Sequence, residues 1–163
     1  MIEQPRDADG NIMHDPSWSP LRCEKLITFT GGTTNAWGDD GGTLDGGALF
    51  TVTGTVRVRI FGVVETTLVG GATANVGTSK DVAGLLPQVA DTSGMAENET
   101  WHMTDGTIDS STELTSVMTE KLIVNGLDIL FYNGTANITA GAIRFLVSWY
   151  PVSADGNVVP SSN

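Results

Sequence analysis

The sequence has few of the residues that build catalytic or metal centres. Among its 163 residues there are one cysteine, Cys23, and two histidines, His14 and His102. A single cysteine excludes an internal disulfide and a zinc site made of several thiolates. The histidines lack a metal-binding spacing, and no Gly-x-Ser-x-Gly nucleophile motif is present. We therefore expect no catalytic residues, no metal and no cofactor, with Cys23 and His102 packed as structural residues.

Basic residues are also scarce. Eight lysines and arginines face nineteen aspartates and glutamates, which gives a net charge of −11 and a pI near 4.3. So negative a surface repels nucleic-acid phosphates and anionic membrane surfaces, and we expect neither as a partner. The charge favours solubility, or it matches a basic surface on a protein partner.

Long apolar segments are missing as well. No stretch approaches the ~20 apolar residues that a membrane-spanning helix requires. The first residues, Met1–Asp7, lack the cationic start and apolar stretch of a secretory signal. We expect a protein that is made and used without Sec-type export.

Glycine, threonine and valine dominate what is present, with 20 glycines in the chain. Threonine and valine favour strands, whereas glycine and aspartate mark turns. Thr55–Phe61 is the clearest strand, because Val56, Val58 and Ile60 share one face. The other predicted strands are Lys25–Thr30, Gly47–Thr53, Val63–Leu68, Ala72–Gly77, Glu99–Met103, Glu120–Val124, Leu127–Tyr132 and Gly141–Tyr150. This spacing predicts an all-β fold, an antiparallel β-sandwich or jelly-roll-like barrel of about eight strands.

Three local features carry separate predictions. Gly62 interrupts an apolar run, which suggests a bulge or bend in the strand. Asp81–Pro87 suggests one helical turn that Pro87 terminates. Asn125 and Gly126, between two apolar runs, predict a hairpin turn.

The ends of the chain differ in composition from its centre. Residues 1–23 contain Pro5, Pro16 and Pro20 without a periodic apolar pattern, which predicts an extended arm. Trp18 in this arm is a large apolar ring that seeks a groove, either on its own domain or on a neighbouring subunit. Residues 24–153 are expected to form the sandwich or jelly-roll domain, and residues 154–163 a polar tail.

Two acidic segments have features of cation sites. Asp7–Asn11 has the alternating oxygen ligands of a calcium loop, but Ile12 replaces its glycine and Trp18 its final glutamate. The glycine-rich loop after the first strand also carries clustered carboxylates, which we expect to be solvated turn residues in preference to ligands of a hard cation. These carboxylates belong to Asp39, Asp40 and Asp45.

Binding residues are predicted from aromatic and cationic side chains. Trp37 lies between Asn35 and Asp39, where it would stack a sugar ring, cover the end of a sheet or pack at a subunit interface. Arg57 and Arg59 share one strand face and need carboxylate partners, so this face is either solvent-exposed or an intersubunit surface. Together with Trp18, these three residues are the candidate interface or binding residues.

The arm, the Gly/Thr/Val-rich stretch 54–64 and the apolar closing strand 143–150 form a recognisable combination. In these features the chain resembles small accessory virion proteins of tailed bacteriophages, particularly capsid decoration (cement) proteins with jelly-roll-like domains. The resemblance covers residues 24–153. It implies a structural protein on the capsid exterior, made in the host cytoplasm, which binds the major capsid protein as a homotrimer and grips it with the arm. A phage tail or head-fibre component and a carbohydrate-binding module using Trp37 are the alternatives.

Overall fold

The computed structural model describes residues 20–33, 35–102, 108–109 and 120–163. These residues form two antiparallel sheets packed as a sandwich, which confirms the predicted all-β class. The described strands, in chain order, are β1 (Leu21–Thr28), β2 (Gly47–Thr53), β3 (Val56–Val69), β4 (Thr73–Thr78), β5 (Asp81–Val89), β6 (Thr100–Trp101), β7 (Ile108–Asp109), β8 (Lys121–Ile123), β9 (Ile129–Gly134), β10 (Ala140–Pro151) and β11 (Asn157–Pro160). A 3-10 turn, Thr92–Gly94, follows β5.

The two sheets interleave along the chain. One has the order β1-β10-β3-β6-β7, with β8 paired to the first part of β3, and the other has the order β11-β2-β9-β4-β5. Most consecutive strands therefore lie in opposite sheets, and strands distant in sequence become neighbours. The pairing of β1 with β10, for example, joins the two ends of the domain.

The core lies between the sheets and is rich in aromatic rings. Val56, Val58 and Ile60 of β3 point inward and are fully buried, as their alternation predicts. Phe131 of β9 is the centre of the aromatic cluster. Its ring centroid lies 5.5 Å from that of Phe29 and 6.2 Å from that of Phe145 in the opposite sheet. Tilted ring pairs at these distances add to the free energy gained by burial.

Strand β5 replaces the helical turn that was predicted for Asp81–Pro87. The two leucines of this segment, Leu85 and Leu86, are buried against the core. Pro87 does not disrupt the sheet because β5 is an edge strand, where one row of backbone N–H groups has no ladder partner to lose. Its carbonyl also accepts a hydrogen bond of 3.1 Å from the indole of the buried Trp101, which links the two sheets.

The predicted hairpin at Asn125 and Gly126 is wrong, although the turn itself is present. Both residues have positive φ angles, 57° and 68°, as a tight turn of this type requires. The flanking strands nevertheless belong to different sheets, since β8 pairs with β3 and β9 pairs with β2 and β4. Tertiary hydrogen bonds hold this crossing, because the Gly126 N–H donates to the Gly54 carbonyl and the Val52 N–H donates to the Asp128 carboxylate.

The irregularity predicted at Gly62 lies elsewhere. β3 runs without a register shift past Gly62, which pairs with Phe145 of β10 and has Ile143 close to its Cα. The absent side chain makes room for these two neighbours. The bulge lies further along β3, where the stretch 64–69 faces the shorter stretch 140–143 of β10, and Gly141 in that shorter stretch has a φ of 108°.

The predicted boundary between residues 23 and 24 falls inside β1, and the one between residues 153 and 154 lies between β10 and β11. β1 begins at Leu21, within the predicted arm, and residues 1–19 with Trp18 lie outside the described residues. β11 lies in the predicted polar tail and pairs with β2. The buried Lys25 fixes this C-terminal segment, because its ammonium donates hydrogen bonds of 3.1 Å to the Ser161 carbonyl and 2.9 Å to an Asn163 oxygen. Burial lowers the pKa of Lys25.

Candidate protein-binding surface

The outer face of the six-stranded sheet gathers side chains from four strands. Residues that are directly opposite in an antiparallel ladder point to the same side of the sheet. The register places Ser148 of β10 between Arg22 of β1 and Arg59 of β3. Every second residue along these three strands is aligned in the same way. We call this surface the arginine face, and it consists of Arg22, Glu24 and Leu26 of β1, Arg57, Arg59, Phe61, Val63 and Glu65 of β3, Arg144, Leu146, Ser148 and Tyr150 of β10, and Glu120 and Leu122 at β8.

The charge of the arginine face is opposite to that of the rest of the chain. It holds four of the eight basic residues and three of the nineteen acidic ones. Glu120 joins two of the arginines, since its carboxylate oxygens lie 2.9 Å from Arg57 Nε and 3.1 Å from Arg59 Nη2. Because these groups are partly exposed, the ion pairs contribute little stability, but they fix the two guanidinium groups side by side.

A second ion-pair network crosses three strands of the same face. Arg144 of β10 contacts Glu65 of β3 at 2.6 Å through Nε, and Glu24 of β1 at 2.9 Å through Nη1. The hydrogen bond with Glu65 is the main cause of the raised pKa of Arg144. The guanidinium therefore bridges carboxylates of the two strands on either side of β10.

Apolar side chains separate these charges. Leu26 is 48% exposed and Leu122 is 60% exposed, although each lies on a regular strand. The Arg57 guanidinium stacks 4.7 Å from the ring centroid of Tyr150, a cation–π contact that leaves a flat amphipathic surface. Arginine and aromatic residues with few lysines are the composition that distinguishes the centres of protein–protein interfaces.

A groove of about 700 Å³ runs across the middle of the arginine face. Pro20 and Arg22 form one side, Arg59 and Phe61 the other, and Leu146 lies between them. Within the described part of the chain, Arg22 has no carboxylate partner. The groove thus offers an apolar floor bordered by two cationic side chains and by Glu24, whose carboxylate is paired with Arg144.

Cys23 also borders this groove, and burial raises the pKa of its thiol from 9.0 to about 11. The thiolate is the reactive form, so at neutral pH we expect iodoacetamide to alkylate the native chain about 100-fold more slowly than the unfolded chain. Alkylation rates followed by mass spectrometry against pH should keep rising beyond pH 9. A plateau with an inflection at the ordinary thiol pKa would contradict this environment.

Two of the predicted binding residues lie on this surface and a third does not. Arg57 and Arg59 lie on the arginine face, and their carboxylate partner, Glu120, belongs to the same chain. Trp37 is a core residue, a correction to its prediction as a binding residue. It is only 8% exposed and packs edge-on against Phe131 at 6.0 Å, with the Lys25 ammonium 5.3 Å from its ring centroid. A sugar ring has no open indole face on which to stack.

In the glycine-rich loop the structure shows a hydrogen bond to the carboxylate of Asp45 and one from the main chain of Asp40. Asp45 accepts a hydrogen bond of 3.1 Å from the Asn133 N–H, and the Asp40 N–H donates to the Asn137 side chain. Across the described ranges, no three His, Cys, Asp or Glu side chains converge in a way that would hold a metal ion. The acidic run Asp7–Asn11 lies outside the described residues. No helix of the described segments is long and apolar enough to cross a membrane.

Sequence reasoning found two arginines of this surface and missed the other two. Arg22 and Arg144 join Arg57 and Arg59 only through pairing between strands more than 30 residues apart in sequence. The alternation in β10 could have indicated Arg144, because a charged residue in an otherwise apolar strand is expected at an outward position. The exposed Leu122 carried no such signal, because its segment reads as a buried strand.

Comparison with known proteins adds no family to this description. No family model, no curated protein and no solved structure matches the chain. The sandwich and the arginine face are therefore the observations from which a function is proposed.

Proposed function

We propose that this chain is a structural virion protein of a tailed bacteriophage, a capsid decoration protein that binds the assembled shell through its arginine face. The observation that carries the proposal is the combination on that face of exposed leucines and stacked arginine and tyrosine side chains, in a chain whose net charge is −11. The proposed role is binding without catalysis, cofactor or nucleic acid.

The distribution of charge supports a single docking orientation. The arginine face has four basic and three acidic side chains, whereas the chain as a whole has a net charge of −11. A partner with acidic and apolar groups is therefore attracted to this face and repelled by the others, which sets orientation and association rate more than final affinity. Leu26 and Leu122 would supply the apolar contact area, and the fixed arginines would pair with carboxylates of the partner.

The resemblance to decoration proteins supplies the finer part of the proposal. The partner would be the major capsid protein, and the site of action the exterior of the virion, after synthesis in the host cytoplasm. A homotrimer at a symmetry axis of the shell would present three arginine faces at once. Simultaneous contacts of this kind raise the overall affinity by multivalency, without requiring a strong single contact.

Co-sedimentation with undecorated capsids of the virus that encodes the chain tests the proposal. We expect the wild-type chain to sediment with the capsids. The double variant Leu26→Glu/Leu122→Glu should bind at least about tenfold more weakly, because it places two carboxylates in the apolar part of the interface.

The matched control changes two exposed apolar residues of the other sheet, Val82→Glu/Val159→Glu, which are 48% and 44% exposed. This control carries the same added charge and should bind like the wild type. Absence of wild-type binding to capsids would contradict the proposal, and binding to isolated tails instead would favour a tail or head-fibre component. Equal loss of binding in both double variants would show that the arginine face is not the contact surface.

A further inference from the structure

We infer that the groove on the arginine face is a docking site for residues 1–19 of the same chain, with Trp18 as the side chain that occupies it. This inference does not depend on the proposed role in the virion. It rests on the position of Pro20 in the groove wall, two residues after Trp18 in the sequence, on charge and on the shape of the groove.

The described chain begins at the groove itself. Pro20 is part of the groove wall and is followed directly by β1. Trp18 precedes Pro20 by two residues, and two residues of extended chain span roughly 7 Å. Trp18 is thus tethered within reach of the groove. Such a short tether gives an effective concentration of the order of millimolar, which favours docking within one chain over docking between copies.

The charges of the segment and the groove are complementary. Residues 1–19 contain four acidic residues and a single basic one. Arg22, Arg59 and Glu24 border the groove. Glu24 is paired with Arg144 and Arg59 with Glu120, whereas within the described part of the chain Arg22 has no carboxylate partner. A carboxylate of the segment beside Arg22 would complete a charge-assisted hydrogen bond.

The apolar part of the groove fits a large ring. Phe61 and Leu146 form its apolar part, and both side chains are only partly covered by their neighbours. An indole placed between them and beside Arg59 would gain burial and a cation–π contact. The other outward side chains of the arginine face, Leu26 at one end and Tyr150 with Leu122 at the other, stay open to a partner.

Tryptophan fluorescence tests this docking in the full-length chain. Trp37, Trp101 and Trp149 are all buried, so the emission lost in Trp18→Phe reports the environment of Trp18. We expect this difference spectrum to have the blue-shifted emission of a buried indole. We also expect its quenching by acrylamide to be several-fold weaker than that of free tryptophan.

A charge-reversal pair locates the docking site. Arg22→Glu should shift the Trp18 difference spectrum to the emission of water-exposed tryptophan and raise its quenching several-fold, since the groove then repels the acidic segment. Lys80→Glu makes the same change at the exposed turn between β4 and β5 and should leave the spectrum as in the wild type. Each variant is compared with its own Trp18→Phe counterpart, and circular dichroism confirms that it is folded.

Three results would overturn the inference. Water-exposed, freely quenched Trp18 in the wild type would show that the groove does not hold it. Protection that Arg22→Glu leaves unchanged would place Trp18 at another site. Protection that fades on dilution would assign the groove to the segment of a second copy.

Discussion

Phe131→Ala is expected to lower the free energy of unfolding by about 3–5 kcal/mol, within the range observed when a buried phenylalanine is reduced to alanine. Phe131 is completely buried, and its ring contacts Phe29, Trp37 and Phe145. Its removal leaves a cavity between the sheets that rigid strands on both sides cannot fill. Since domains are typically stable by only ~5–15 kcal/mol, this single change would remove a large part of the total.

Urea unfolding at equilibrium, followed by circular dichroism, measures this loss. Phe131→Leu keeps most of the volume and should cost clearly less than the alanine variant, because the cavity is smaller. Leu122→Ala removes an apolar side chain that is 60% exposed and should change the free energy of unfolding by less than about 0.5 kcal/mol. A cost for Phe131→Ala no larger than that of Leu122→Ala would show that the sandwich is not packed around this ring.

Gly141→Ala is expected to destabilise the domain by about 3 kcal/mol, through backbone strain and through steric overlap. Gly141 of β10 faces the bulge of β3 and has a φ of 108°, a conformation that L-residues with a side chain rarely adopt. A Cβ at this position would also lie only 2.7 Å from the Thr67 carbonyl oxygen and 2.8 Å from Leu68 Cα. Backbone atoms of a central strand cannot move aside without breaking the ladder between β3 and β10.

Alanine variants of two other glycines separate backbone strain from steric overlap when their unfolding is measured in the same way. Gly41 has a positive φ of 69° but open space around its Cα, so Gly41→Ala tests strain alone and should cost about 1 kcal/mol. Gly94 has neither a positive φ nor a close neighbour, and Gly94→Ala should be nearly neutral. The ordering Gly141 > Gly41 > Gly94 is the expected result, and a Gly141 variant as stable as the Gly94 variant would contradict the bulge geometry.

The local patterns in this chain were informative wherever one face of a strand is buried. Gly47–Thr53 was predicted with the bounds that the structure has, and the alternation in β3 placed Val56, Val58 and Ile60 inward. Asp81–Pro87 was wrongly predicted as a helical turn because Pro87 suggests a helix end, whereas the position of β5 at a sheet edge makes the proline harmless. The residue alone does not reveal whether its strand lies at an edge.

Local sequence patterns could not predict which strands pair with each other. Asn125 and Gly126 form the expected turn, but the turn crosses between sheets because distant backbone groups of Gly54 and Val52 bind it. Arg22 and Arg144 likewise join Arg57 and Arg59 only after β1, β10 and β3 are placed side by side. Conversely, Trp37 lies in a glycine-rich loop that reads as exposed, yet its ring fills the core beside Phe131.

The amino-acid sequence alone determined the all-β class, the acidic charge and the two outward arginines of β3, since side-chain alternation and composition are local properties. The tertiary structure decided which strands are neighbours, and with them the arginine face, the groove at Pro20 and the burial of Trp37. The physical reason is that ladder hydrogen bonds are the same between any two strands. Their partners are therefore chosen by burial of the complete core, which no single segment encodes.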